Sequence, residues 1–310
     1  MIADRLCPGD EVRVIAPSRS LAYVWPNVCE RAEAFWRDAG FRVTFSPHSR
    51  ELDGFYSSSI EARVADLHEA FADPQVKLIV TAIGGFNANQ LLRRLDYDWI
   101  ARHPKLLCGY SDITALLNAI YAKTGLVTYH GPHFSTFGFE QETADTQRAF
   151  LECVTGTAPI EAVASQAAGS YRVLCPGTCE GTAIGGNLCT LNLLQGTPYM
   201  PDLHGAVLFL EDDNIMGEYF PYEFDRNLES LLQQPGAQEI RGIVFGRFHE
   251  SCRMTDEMLR AIIREKIPHD IPVISGVDFG HVTPMLTFPI GGTVRISAQP
   301  CGVQVQMLSH

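Results

Sequence analysis

The chain has 310 residues, 46% hydrophobic and 19% charged, with 24 Lys and Arg against 36 Asp and Glu for a net charge of −12. That composition excludes a disordered chain. The acidity argues against a phosphate-tracking nucleic-acid binder, which needs a basic stripe, and no apolar run approaches the ~18–20 residues of a membrane span. At this length one large core or two medium domains are expected. Met1-Ile2-Ala3-Asp4-Arg5 has neither the basic start nor the long apolar core of a secretory signal, so a cytoplasmic location is expected. The nine cysteines are odd in number and irregularly spaced, which fits reduced thiols better than a disulfide framework. Cys175 and Cys179 form a C-x3-C pair, but no partner pair stands nearby at zinc spacing, so no metal is expected.

The first half alternates strand and helix. Residues 12–16 read as a short strand stopped by Pro17. Val28, Ala32, Phe35, Trp36 and Ala39 then share a helix face, with Gly40 as the stop. Residues 41–45 predict a strand. Ile60, Val64, Leu67 and Phe71 mark a helix ended by Asp73-Pro74. A buried strand over 78–82 runs into Gly84-Gly85, and a short helix is expected over 89–94. Strands over 106–109 and 126–129 flank a helix over 112–123, and residues near 143–151 are helical. Such alternation predicts a mostly parallel, flavodoxin-like sheet with helices on both faces.

Residues 154–170 are a composition break rich in Ala, Gly, Ser and Thr. The expected partition is an N-terminal domain over 1–153, a linker over 154–174 and a smaller mixed α/β domain, of swivelling β/β/α type, over 175–310. In that last part strands are expected over 207–210, 242–245 and 273–274. Helices are expected near 224–234 and 256–266, followed by a strand-rich tail over 285–307.

In an open parallel sheet, ligands bind beyond the carboxyl ends of the strands. Four unusual sequences lie at such ends. Ile83-Gly84-Gly85-Phe86-Asn87 allows close approach of a ligand to the main chain, or is only a tight turn. Cys108-Gly109-Tyr110-Ser111-Asp112 resembles a nucleophile elbow without its second glycine. Ser111 there is either an exposed nucleophile before a helix N-terminus that can stabilise an oxyanion, or simply a helix cap. The run Leu210-Glu211-Asp212-Asp213 ends a buried strand in acids, which could bind a metal, orient a histidine or cap a helix. Gly280-His281-Val282-Thr283-Pro284 puts one of ten histidines in a sharp loop suited to acid–base work. Together they offer the serine, carboxylate and histidine of a nucleophilic triad, in the order Ser, Glu, His.

These motifs, with Ala16-Pro17-Ser18 and Gly185-Gly186-Asn187-Leu188, resemble the LD-carboxypeptidase family of serine peptidases over nearly the whole chain. The closest resemblance is to its branch of microcin C self-immunity proteins. The resemblance implies Ser111 as nucleophile, His281 as general base and then acid, and Glu211 as the carboxylate that orients it. Glu218, in the following loop, is a weaker alternative for that carboxylate. The N–H of Asp112 and one from Gly84 or Gly85 would form the oxyanion hole. No metal or organic cofactor is implied.

Family members cleave an amide next to a free carboxylate: D-alanine from murein tetrapeptides, or the bond joining an amino acid or peptide to a nucleotide moiety. The sequence Phe86-Asn87-Ala88-Asn89 favours the immunity branch, and Phe86 and Asn87 are expected to bind substrate. That branch carries a base-stacking tryptophan before the second domain, whereas residues 165–174 hold only the aromatic Tyr171. Tyr171 therefore either stacks on the base or packs on the linker. The expected partner is a small peptide or aminoacyl-nucleotide substrate, with no nucleic acid and no membrane, in a homodimer. The alternatives are a murein tetrapeptide carboxypeptidase and a non-catalytic peptide binder on the same scaffold.

Overall fold

A computed structural model describes residues 1–140, 143–165, 169–267 and 270–310. The first half contains five strands: β1 (Glu11–Ile15), β2 (Arg42–Phe45), β3 (Val76–Thr81), β4 (Leu106–Gly109) and β5 (Thr128–His130). Five helices accompany them: α1 (Pro26–Asp38), α2 (Ile60–Ala72), α3 (Tyr97–Arg102), α4 (Thr114–Thr124) and α5 (Thr143–Thr155). Local chemistry sets their ends. Pro26 opens α1, where its missing N–H costs nothing. Ser59 caps α2 by accepting from Ala62 N.

All five strands run parallel, in the order β5-β4-β3-β1-β2. This is the flavodoxin-like order expected. β1 and β4 are buried along their whole length, as strands covered on both faces must be.

The second half adds β6 (Ile160–Glu161), β7 (Arg172–Cys175), β8 (Gly177–Asn187), β9 (Ala206–Glu211), β10 (Gly242–Gly246), β11 (Val273–Val277), β12 (Phe288–Ile290), β13 (Thr293–Gln299) and β14 (Gly302–Met307). Its helices are α6 (Leu188–Asn192), α7 (Phe220–Leu232) and α8 (Asp256–Lys266). Eight of these strands form one mixed sheet, β6-β14-β13-β8-β9-β10-β11-β7. Its centre, β8 to β11, is parallel, and its flanks are antiparallel. The chain is thus a two-domain α/β protein.

β12 departs from the expected partition of the tail. It pairs antiparallel with β5 and so completes the edge of the first sheet. The long strand β8 was not expected either, because four glycines interrupt its pattern. Residues 166–168 of the expected linker lie outside the described residues.

The two sheets share one core. Phe288 of β12 stacks on His130 of β5 at 4.7 Å and on Phe209 of β9 at 4.6 Å. Phe279, after β11, packs edge-on to Phe288 at 5.3 Å. Each fully buried phenyl ring contributes roughly 1.5–3 kcal/mol, so this aromatic seam fixes the ends of β5, β9 and β11 against one another. Among the described residues no helix is long and apolar enough to cross a membrane.

Candidate active site

Ser111 follows β4 and opens the turn Ser111–Ile113 that leads into α4. Its φ is +59°, in the left-handed region. A non-glycine residue there costs roughly 1–2 kcal/mol. The strained turn leaves the hydroxyl half-exposed beyond the strand end, as an elbow does.

Glu211 ends β9 and is wholly buried. His281 stands on the loop between β11 and β12. Its Nδ1 lies 2.7 Å from Glu211 Oε2, and its Nε2 lies 3.0 Å from Ser111 Oγ. The three residues far apart in sequence therefore form one hydrogen-bonded chain. Gly280 makes the approach possible: a Cβ there would lie 2.6 Å from Glu211 Oε2.

The electrostatics match this geometry. Burial alone would raise the Glu211 pKa, but the facing imidazoles of His281 and His130 outweigh it and bring it to about 2. Burial opposes protonation of His281, yet Glu211, with Asp213 and Asp212, holds its pKa above the ordinary imidazole value. A carboxylate that stays ionised and an imidazole that gains a proton readily suit a base transferring a proton from serine.

A second network shapes the floor. Asp112 Oδ2 accepts from Ser18 Oγ at 2.5 Å, Asn87 N at 2.8 Å and Ala88 N at 2.9 Å. The buried Arg63 donates to Pro17 O, Asn87 O, Asn87 Oδ1 and Gln90 Oε1. The loops after β1 and β3 are thereby tied to the elbow. Gly84 faces Ser111, since a Cβ there would lie 3.1 Å from Ser111 Oγ. Gly85 faces Ser18 instead. Asn87 Oδ1 joins this scaffold through Arg63, and the residue also lines the cavity of about 640 Å³ that adjoins the Ser111 pocket.

Ser111 and His281 open into a pocket of about 230 Å³. Arg19 and Phe86 form the rim it shares with a cavity of about 640 Å³ that also exposes Phe55 and Tyr56. The Arg19 guanidinium sits between the rings of Tyr23 and Phe86, at 4.9 and 5.0 Å.

Tyr171 is not among the residues lining the Ser111 pocket. It packs half-buried against the core, and burial with nearby Asp278 pushes its hydroxyl pKa upward. Glu218 is exposed and pairs with Arg253 at 3.0 Å. Asp212 turns away from His281 and accepts from Asn187 Nδ2 and Cys189 N. Of the acidic run, Glu211 alone meets His281.

Two further residues escaped the sequence reading. His130 Nε2 lies 3.6 Å from Glu211 Oε1, on the side away from His281's oxygen. His133 lines the Ser111 pocket. The signal was available: His130-Gly131-Pro132-His133 begins on the last residue of β5, whose end opens on the same edge as β3 and β4.

Comparison with known proteins agrees with this architecture. Residues 12–131 match the LD-carboxypeptidase N-terminal domain, and residues 180–296 match its C-terminal domain. The chain is 45% identical to the "Putative carboxypeptidase YocD" of Bacillus subtilis (strain 168), over 96% of both chains. It is 33% identical to the "Probable murein peptide carboxypeptidase" of the same strain, over 93% of this chain and 89% of that one. It is 31% identical to the microcin C7 self-immunity protein MccF of Escherichia coli, over 96% and 93%. Among solved structures, an MccF-like protein from Bacillus anthracis str. Ames superposes with a TM-score of 0.97 at 46% identity, covering all of both chains. MccF in complex with glutamyl sulfamoyl guanosine superposes with a TM-score of 0.86 at 28% identity, over 99% and 98%. The chain belongs to the LD-carboxypeptidase family.

Proposed function

We propose that this enzyme is a serine hydrolase that cleaves an aminoacyl- or peptidyl-nucleotide at the amide beside its anionic group. The observation that carries the reading is the hydrogen-bonded chain from Ser111 through His281 to the buried Glu211. Ser111 Oγ attacks the scissile carbonyl carbon while its proton passes to His281 Nε2. Glu211 holds the opposite ring nitrogen and stabilises the imidazolium. The carbonyl electron pair moves onto oxygen, which the N–H groups of Asp112 and the Gly84–Gly85 turn receive. His281 then protonates the leaving nitrogen. Water, deprotonated by His281, releases the acyl group from Ser111.

The substrate class rests on the likeness to MccF, solved with glutamyl sulfamoyl guanosine, and on the rim. Phe86 offers an exposed ring to a base, and the adjoining Arg19 offers a cation to the linking anion. In this reading Phe86, rather than Tyr171, is the stacking surface. A murein tetrapeptide is the second reading, favoured by the 33% identity to a murein peptide carboxypeptidase. Incubation with both substrates separates them. Release of the nucleotide moiety is expected, and release of D-alanine alone would replace the first reading by the second. Ser111→Ala should lower kcat roughly 10⁴-fold or more. An unchanged rate would remove the serine mechanism, whereas tight peptide binding by the wild type with no labelling by a serine-reactive phosphonate would favour a non-catalytic peptide binder.

The working form is proposed to be a cytoplasmic homodimer, following the family resemblance, and light scattering at micromolar concentration tests the dimer.

A further inference from the structure

His133 carries a feature that the triad does not use. The residue is only 2% exposed, and its Nε2 has no hydrogen-bond partner among the described residues. Leaving such a buried atom unpaired is costly, so its position needs a partner that arrives. The site of arrival is visible. Nε2 and Ser111 Oγ flank the same glycine: a Cβ on Gly84 would lie 3.1 Å from Oγ and 3.4 Å from Nε2. Gly84 carries no side chain, so its backbone abuts both atoms, and His133 lines the pocket that holds Ser111.

The proton on His133 follows from its other nitrogen. Nδ1 lies 2.7 Å from Thr81 Oγ1, and Thr81 Oγ1 lies 3.3 Å from the Cys108 carbonyl. Both contacts are satisfied together in one way. The Thr81 hydroxyl donates to Cys108 O, and His133 Nδ1–H donates to Thr81 Oγ1. Nε2 then presents a lone pair. Burial, reinforced by the His281 and His130 imidazoles, holds the His133 pKa well below its ordinary value, so the ring stays neutral. The Tyr110 ring, 4.2 Å away, fixes its plane.

We propose that His133 Nε2 is a substrate-binding acceptor for an N–H carried on the carbon next to the scissile carbonyl. The leaving nitrogen must meet His281, which donates its proton. The acyl half of the substrate is thereby left to the wall formed by Gly84 and His133. A lone pair on that wall selects α-aminoacyl amides, whose α nitrogen bears hydrogen as a free amine or as a peptide N–H. It disfavours acyl groups that put only carbon there. His133 takes no proton in the reaction, and its bond to the substrate persists through attack and release. This inference rests on the serine mechanism proposed above.

The test is a four-way comparison of kcat/KM. Wild-type enzyme and His133→Leu are each given an α-aminoacyl amide substrate and its analogue with hydrogen in place of the α nitrogen. Wild type is expected to prefer the α-amino substrate by roughly 10- to 100-fold. In His133→Leu the preference should collapse to within about threefold. A preference of the same size in both enzymes overturns the assignment. A long-range 1H–15N correlation on the wild-type protein gives an arm that needs no variant. The proton of His133 should be found on Nδ1, and a proton on Nε2 overturns the proposal. Ser111→Ala separates the two readings. If it still hydrolyses substrate, the serine mechanism fails. If it is inactive while the preference survives in His133→Leu, only the role of His133 fails.

Discussion

Asn118 grips Gly185 at both backbone groups. Its Nδ2 donates to the Gly185 carbonyl at 2.8 Å, and its Oδ1 accepts from Gly185 N at 3.4 Å. One turn earlier on α4, Thr114 Oγ1 accepts from Asn187 N at 3.0 Å. The helix that begins just after Ser111 is thereby fastened to β8, and Asn187 of β8 stands in register with Glu211 of β9. The distance between Ser111 and Glu211 is set through this clamp.

Asn118→Ala should therefore act on both stability and rate. It strands the N–H and C=O of Gly185, at a cost of about 1–3 kcal/mol read by denaturant unfolding. It should also lower kcat about tenfold or more by loosening the alignment of Ser111 with His281. A variant with lowered stability and unaltered kcat would show that the clamp is only structural.

The left-handed backbone at Ser111 makes two substitutions differ. Ser111→Ala and Ser111→Gly should both be inactive. The glycine relieves roughly 1–2 kcal/mol of strain and gives back ~0.5–1 kcal/mol through the freer unfolded chain. Ser111→Gly should thus be the more stable of the two by roughly 0.5–1 kcal/mol in urea unfolding. Equal or reversed midpoints would mean that the elbow is unstrained.

The pH dependence follows from the buried pair. In the proposed mechanism His281 acts as a base only when neutral, and its pKa is held above the usual 6.5. Activity should thus rise with pH, with a midpoint above 6.5 for kcat/KM. Glu211→Gln removes the charge that raises it, so the midpoint of the residual activity should fall. For stability the signs oppose. Glu211, lowered from 4.5 to about 2, stabilises the fold above 4.5, and this is lost as pH falls toward 2. His281 stabilises the fold when protonated, and this is lost as pH rises through its folded pKa. A midpoint at or below 6.5 in the wild-type enzyme would contradict the pairing.

Gly280→Ala drives a methyl group into Glu211, within 2.6–2.8 Å of Oε2, Cβ and Cγ, at a φ of +98°. Overpacking of this kind costs about 1–3 kcal/mol. The expected outcome is a fall in kcat larger than the change in KM, because the carboxylate is pushed off His281 while the Ser111 wall is untouched. A normal kcat would mean that Glu211 tolerates displacement.

The parts of the site legible in the sequence share a local signature. Ser111 stands two residues beyond the glycine that ends β4, Glu211 ends β9 and His281 follows Gly280, and such corners can be read from neighbours a few residues away. The parallel sheet was legible for the same reason, since β1 to β5 alternate with helices in plain periodicity. What escaped depends on distant partners. Asn118 is a polar helix residue whose meaning comes from Gly185, and nothing in its own segment names that partner, whereas His133 was signalled only by its place just beyond the end of β5. β8 escaped because Gly177, Gly181, Gly185 and Gly186 replace the branched side chains that mark a strand. The short helix α3 offers too few turns for a periodicity to show.

β12 crosses from one domain to complete the sheet of the other, with Phe288 opposite His130. The segment bearing His281 is consequently moored at both ends, to β11 on one side and to β12 on the other. A cut anywhere in the expected linker would yield no autonomous first domain, because its outermost strand would be left on the second fragment. Complementation of two separately expressed fragments would have to rebuild that edge before it could restore the base, so sheet closure and the assembly of the active site are a single event.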